Sequence, residues 1–159
     1  MEYQITDVVK GEEMDFKLPD SAFFEAVGGV EGMKKFMYNF YDIIYDSEIA
    51  HYFPQDREEF DKVKEKNTKF FIQICGGPKV YEEAGGMDLN EYMIRVHDDF
   101  SINEKARISW LGCMMEALEE LDVDPKLKKS FWDYVESFSK LTVNTFSDGA
   151  YHPVYKRKK

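Results

Sequence analysis

Three histidines, His51, His97 and His152, are the chain's imidazoles. A neutral imidazole is the commonest protein ligand to a transition metal, and its charge changes near neutral pH. His152 falls in a tail and reads as a solvated side chain. His51 falls in a compact corner from Ile49 to Pro54, beside Tyr52 and Phe53. His97 ends a short apolar stretch that begins at Leu89, with Met93 one turn earlier. That position suits either a ligand or a satisfied core histidine, and composition alone leaves both open. A second group comprises polar residues at inward positions: Tyr41 after Phe40, Asn67 on the Phe60–Val63–Phe70 face, and Trp110 beside Leu111. Tyr and Trp often fill cores while sending a polar tip to a carbonyl. A buried Asn is less routine, because an unsatisfied amide costs about 1–3 kcal/mol. Together the three outline a polar pocket in an apolar core, which His97 on a fourth helix can face.

Other chemistries find little support. The chain has no Gly-rich phosphate loop with Lys, no nucleophile elbow and no HExxH. Cys75 and Cys113 lack a metal-ligand spacing and are expected as buried, apolar thiols. The net charge of −10 opposes nucleic acid and anionic membrane as partners, since phosphate binding requires a positive field. The basic end, Lys156-Arg157-Lys158-Lys159, reads as a solvated terminus. No apolar run approaches the ~20 residues that span a bilayer. The N-terminus lacks a signal-peptide pattern, so a cytoplasmic location is expected.

The elements that would position these residues are helical. Residues 1–19 read as an N-terminal extension, 20–147 as one folded domain and 148–159 as a basic tail. Asp20 or Ser21 caps a short helix that stops at Gly28-Gly29. Val30, Met33, Phe36, Met37, Phe40, Tyr41 and Ile44 then recur at steps of three and four. A third helix is predicted over 57–75, with Phe60, Val63, Asn67, Phe70, Phe71 and Ile74 on one face, ended by Gly76-Gly77-Pro78. After a loop holding Gly85-Gly86, a short helix is predicted over 89–97. A long helix follows from Ser101 or Asn103 to Leu121, with Ile108, Leu111, Met115 and Leu118 inward. The last starts at Asp124-Pro125 and ends near 144–146. With no sustained alternating pattern, the expected class is all-α.

Placed in order, these motifs resemble the truncated haemoglobins, the two-over-two globins, and most closely group II, the O type. Phe24 to Gly29 resembles that family's start. Phe40-Tyr41 matches the Phe-Tyr pair of its second helix, and Tyr52-Phe53-Pro54 its aromatic-Pro corner. Phe70-Phe71 with Cys75-Gly76-Gly77-Pro78 is similar to the end of its distal helix. His97 with Phe100 resembles the proximal His and the Phe after it. Trp110 falls 13 residues after His97, where groups II and III keep a Trp, and Phe131 to Tyr134 resembles the last helix. No motif is specific alone; the order and spacing carry the resemblance, which covers roughly residues 21–146. Val96 and Asp98-Asp99 flank His97 where group II has Arg and Ala-Pro.

The resemblance implies a globin-like two-over-two helical sandwich enclosing haem b, iron protoporphyrin IX. It implies His97 as the proximal iron ligand, with Tyr41, Asn67 and Trp110 facing a diatomic ligand. Phe53, Val63, Phe70, Phe71 and Met93 would form apolar walls, with Phe100 beside the proximal His. Lys64 and Lys66 lie on the side of the distal helix, where an ammonium either meets a haem propionate or stays in solvent. The implied function is binding of O2, with NO, CO or sulfide as further ligands. NO-detoxifying or peroxidase-like turnover, fed by an unnamed reductase, is compatible with it. The alternative is a haem-free or haem-sensing helical interaction domain.

Overall fold

The computed structural model describes residues 4–6, 17–54, 56–83, 103–140, 143, 145–146 and 149–150. It contains α1 (Ala22–Ala26), α2 (Gly29–Tyr45), a 3-10 turn (Ala50–Tyr52), α3 (Arg57–Ile74), α4 (Val80–Glu83), α5 (Glu104–Glu119) and α6 (Pro125–Ser139). Three of the helices, α3, α5 and α6, start where a short polar side chain accepts from an orphan backbone N–H group. Asp56 caps α3 through Glu58 N, and Asp124 caps α6 through Lys126 N, with Pro125 opening the first turn. Asn103, one of the two caps expected for α5, accepts from Ala106 N. Between α1 and α2, Gly28 and Gly29 have φ of 110° and 70°, left-handed values that strain a side chain bearing Cβ.

The α2–α3 pair lies over the α5–α6 pair. α2 packs against both α3 and α5, and α5 packs on α6. Every inward residue expected on α2 except Val30 is buried. An aromatic cluster ties the layers together. Phe131 of α6 stacks on Phe23 of α1 at 4.9 Å, meets Phe36 of α2 edge-on at 5.5 Å, and lies 5.9 Å from Phe71 of α3. Aromatic side chains each bury a large apolar area, and such pairs add to it. Cys75 and Cys113 are buried and reduced, as expected, and burial pushes the Cys75 thiol well up.

Several boundaries and faces differ from expectation. The buried face of α5 is Arg107, Leu111, Met114 and Leu118, whereas Ile108 is 45% exposed and Met115 only partly buried. A charged residue leads that face and obscures its phase. On α3, Lys64 and Thr68 are buried and Val63 and Asn67 are not. The Thr68 hydroxyl satisfies itself by donating to the Lys64 carbonyl at 2.7 Å. α4 was expected as loop; it is one turn whose Tyr81 is buried edge-on to Phe70 at 5.8 Å. α6 ends at Ser139, earlier than expected, and Thr145–Phe146 pairs antiparallel with Gly149–Ala150. The predicted helix over 89–97 lies outside the described residues. Among the described residues no helix is long and apolar enough to cross a membrane.

Candidate functional site

Tyr41 sits in the fourth turn of α2 and is 2% exposed. Its ring lies 5.0 Å from Phe40, 6.3 Å from Phe53 and 6.4 Å from Phe60, the last two edge-on. Phe53 follows the 3-10 turn in an extended conformation, so the corner turns its ring back onto α2 and α3. Trp110 reaches the same region from α5, edge-on to Phe40 at 5.3 Å. Tyr41 and Trp110 therefore share Phe40 as a common neighbour. Their arrival from different helices follows from α2 being packed between α3 and α5.

Val63, Asn67 and Phe70 form one line along α3, spaced by four and three residues. Val63 and Asn67 are only partly buried. Phe70 closes one end of the line, fully buried against Tyr81 and against Phe138 at 6.1 Å. Among the described residues the Asn67 amide and the Trp110 indole N–H have no hydrogen-bond partner. The described residues thus place a buried phenol at Tyr41 and the Trp110 indole around Phe40, and separately the Val63–Asn67–Phe70 line along α3. Phenol, indole and amide groups are donors of the type that suits a small ligand bearing negative charge.

Two expected site residues are placed elsewhere. Lys64 is 8% exposed and turned toward α2. Its ammonium pairs with Asp42 at 3.4 Å and Asp61 at 3.3 Å and lies 4.9 Å from the centre of the Tyr38 ring. It follows Phe60 by one turn on the buried edge of α3, which directs it into the helix crossing rather than to a propionate. Phe71 lies on that same edge and belongs to the aromatic core around Phe131. Lys66, by contrast, is exposed one turn after Val63. Met93, His97 and Phe100 lie outside the described residues. His51 is exposed, with Nδ1 2.9 Å from the Glu48 carbonyl oxygen. Arg107, buried one turn before Trp110, went unrecognised in the sequence; a lone Arg among polar neighbours carries no signal for burial.

A family model described as bacterial-like globin matches residues 22–144. Group 2 truncated hemoglobin YjbI of Bacillus subtilis (strain 168) is 25% identical over 130 residues, covering 78% of this chain and 89% of that protein. Two-on-two hemoglobin-3 of Arabidopsis thaliana is 29% identical over 119 residues, covering 71% of this chain and 65% of that protein. Among solved structures, phosphate-bound Hell's gate globin IV superposes with a TM-score of 0.76 at 27% identity, over 89% of this chain and 86% of that one.

Proposed function

The chain belongs to the bacterial-like globin family as a truncated haemoglobin, and on that premise we propose that it holds haem b and binds O2, with NO, CO and sulfide as further ligands. Family membership implies a haem cofactor and binding of a diatomic gas. The observation that carries the finer reading is the donor set: buried Tyr41, together with the Asn67 amide and the Trp110 N–H, the latter two without a hydrogen-bond partner among the described residues. The residues fit the cofactor. Phe53, Val63 and Phe70 offer apolar walls along one line of α3 and its preceding corner, and Lys66 is exposed at the rim where an ammonium can meet a propionate. On the resemblance, His97 would hold the iron, and Met93 and Phe100 would contribute to the cofactor's apolar surroundings.

Haem, when bound, supplies an iron with one coordination position open to a gas molecule. The chain's own side chains then decide which gas stays. The Tyr41 hydroxyl, the Trp110 N–H and the Asn67 amide would donate to a small ligand carrying partial negative charge, as dioxygen would in such a site. Carbon monoxide gathers less charge and gains less from them. Trp110 also fills volume and restricts passage past Phe40. Slow loss of O2 suits oxidative removal of NO, or peroxidase-like chemistry with re-reduction by a separate reductase, better than carriage.

The test is stopped-flow release of O2 and CO from wild type and Tyr41→Phe. Hydrogen bonds to charged groups contribute roughly 1.5–3 kcal/mol. Deleting this donor should speed O2 release about 10-fold to 100-fold, with a smaller effect on CO. Equal changes for both gases, or none for O2, would remove Tyr41 as the principal donor.

A further inference from the structure

Arg107 lies one turn before Trp110 on α5 and is 1% exposed. A guanidinium carries five N–H donors in a planar fork, and here each has an acceptor. Nε donates to Ser139 Oγ at 2.9 Å. Nη1 donates to Glu104 Oε1 at 2.7 Å and to the Thr6 carbonyl at 3.1 Å. Nη2 donates to the Glu136 carbonyl at 2.8 Å and to Glu136 Oε1 at 2.9 Å. The same Glu136 oxygen accepts from both the Thr6 N–H and the Thr6 hydroxyl, each at 2.8 Å. Trp132 Nε1 donates to the Gln4 carbonyl at 2.9 Å.

Gln4–Thr6 therefore ends on both helices of the lower layer. Trp132, Glu136 and Ser139 recur at i, i+4 and i+7 on α6, forming a second buried face with exposures of 1%, 8% and 4%. These three are the residues that the segment or Arg107 engages. A short polar segment, expected as part of a mere extension, completes the satisfaction of a buried charge. Removing it leaves a guanidinium donor and a carboxylate oxygen short of partners in a site of low dielectric, where such groups are costly.

We propose that Gln4–Thr6 is a strap that holds α5 to α6 through Arg107 and thereby positions Trp110 in the ligand pocket. Thr6 and Arg107 are positioning residues, since neither touches the ligand. Trp110 has no polar partner of its own among the described residues; apolar packing against Phe40 and the core holds its ring. Its position consequently follows α5, which packs on α2 and α6 and which the strap ties to α6. The assignment of Trp110 to a ligand pocket rests on the function proposed above.

The experiment uses the full-length protein and two variants of Thr6. Thr6→Pro removes the N–H and the hydroxyl while keeping the carbonyl; Thr6→Ser keeps all three. Hydrogen exchange is followed on the protein with and without added hemin. In Thr6→Pro, amides of residues 107–113 should exchange faster by on the order of 10-fold. Amides of α2 and α3 should change little, and Thr6→Ser should match wild type. With hemin bound, CO association should speed up in Thr6→Pro, and Thr6→Pro should add no further change in a Trp110→Ala background. Unchanged exchange in α5, or equal loosening of all helices, would overturn the strap. So would faster α5 exchange in hemin-loaded protein with CO association unaltered. A protein that takes up no hemin fails the haem reading instead, and the exchange pattern alone then upholds or overturns the strap.

Discussion

Trp110 presents one donor, no acceptor and a large ring set edge-on to Phe40 at 5.3 Å. Trp110→Ala deletes the donor and opens space on the α5 side of the site. We predict faster CO association, read by flash photolysis, together with faster O2 release; both unchanged would leave Trp110 as core packing only. The burial of Tyr41 and the packing of Phe53 and Trp110 against the core were legible in the sequence because aromatic residues recur at helical spacing there, whereas Asn67, expected inward, is only partly buried. The placement of Lys64 was not legible. A lysine four residues after Phe60 reads as solvated or rim-facing, and only the meeting of α2 and α3 brings Asp42 and Asp61 to its ammonium. Long charged side chains hide the phase of the face they occupy.

The elements were easiest to read where apolar residues recur without interruption. α2 begins and ends within a residue of expectation because its stripe is unbroken and its start follows a glycine pair. On α5, Leu111 and Leu118 are buried as expected, but Arg107 and Met114 take the inward places expected for Ile108 and Met115, because the face opens with a charged residue. The elbow between α1 and α2 depends on a close approach that the sequence marks only as one more glycine. A β-carbon at Gly32 would stand 1.8 Å from the Val27 carbonyl oxygen, so the backbone would have to move. Gly32→Ala should therefore destabilise the protein by about 1–3 kcal/mol, the usual range for forced overpacking. Gly112→Ala is the control: a β-carbon there meets nothing within 4 Å on exposed α5, and alanine is the better helix former. It should stabilise by roughly 0.5–1 kcal/mol. Urea midpoints of the two variants check both signs, and equal destabilisation would contradict the close approach at Gly32.

At the scale of the molecule, the all-α class follows from helical periodicity, and the two-layer arrangement from the resemblance to the two-over-two globins. The docking of Gln4–Thr6 does not, because three residues carry no pattern. That docking has a pH signature. Burial alone would raise the Glu136 pKa, but the Thr6 N–H and hydroxyl, Lys140 and Arg107 outweigh it and hold the carboxyl below its ordinary value of 4.5. A folded pKa below the unfolded one adds stability that is fully present above the unfolded value and lost as pH falls through the folded one. Wild type should thus lose this contribution as the pH falls below about 4.5, whereas Glu136→Gln should be less stable at neutral pH and show a shallower acid limb. Urea midpoints between neutral and acid pH measure it, and identical acid limbs would exclude Glu136. The central claim is that this fold encloses haem with His97 on the iron, and hemin titration of wild type and His97→Ala tests it most directly. The account predicts saturation of wild type at one equivalent with a strong Soret band, and in His97→Ala weakened uptake or a site restored by added imidazole. A wild-type protein that stays colourless, or a His97→Ala variant with unchanged haem retention and spectrum, would contradict it.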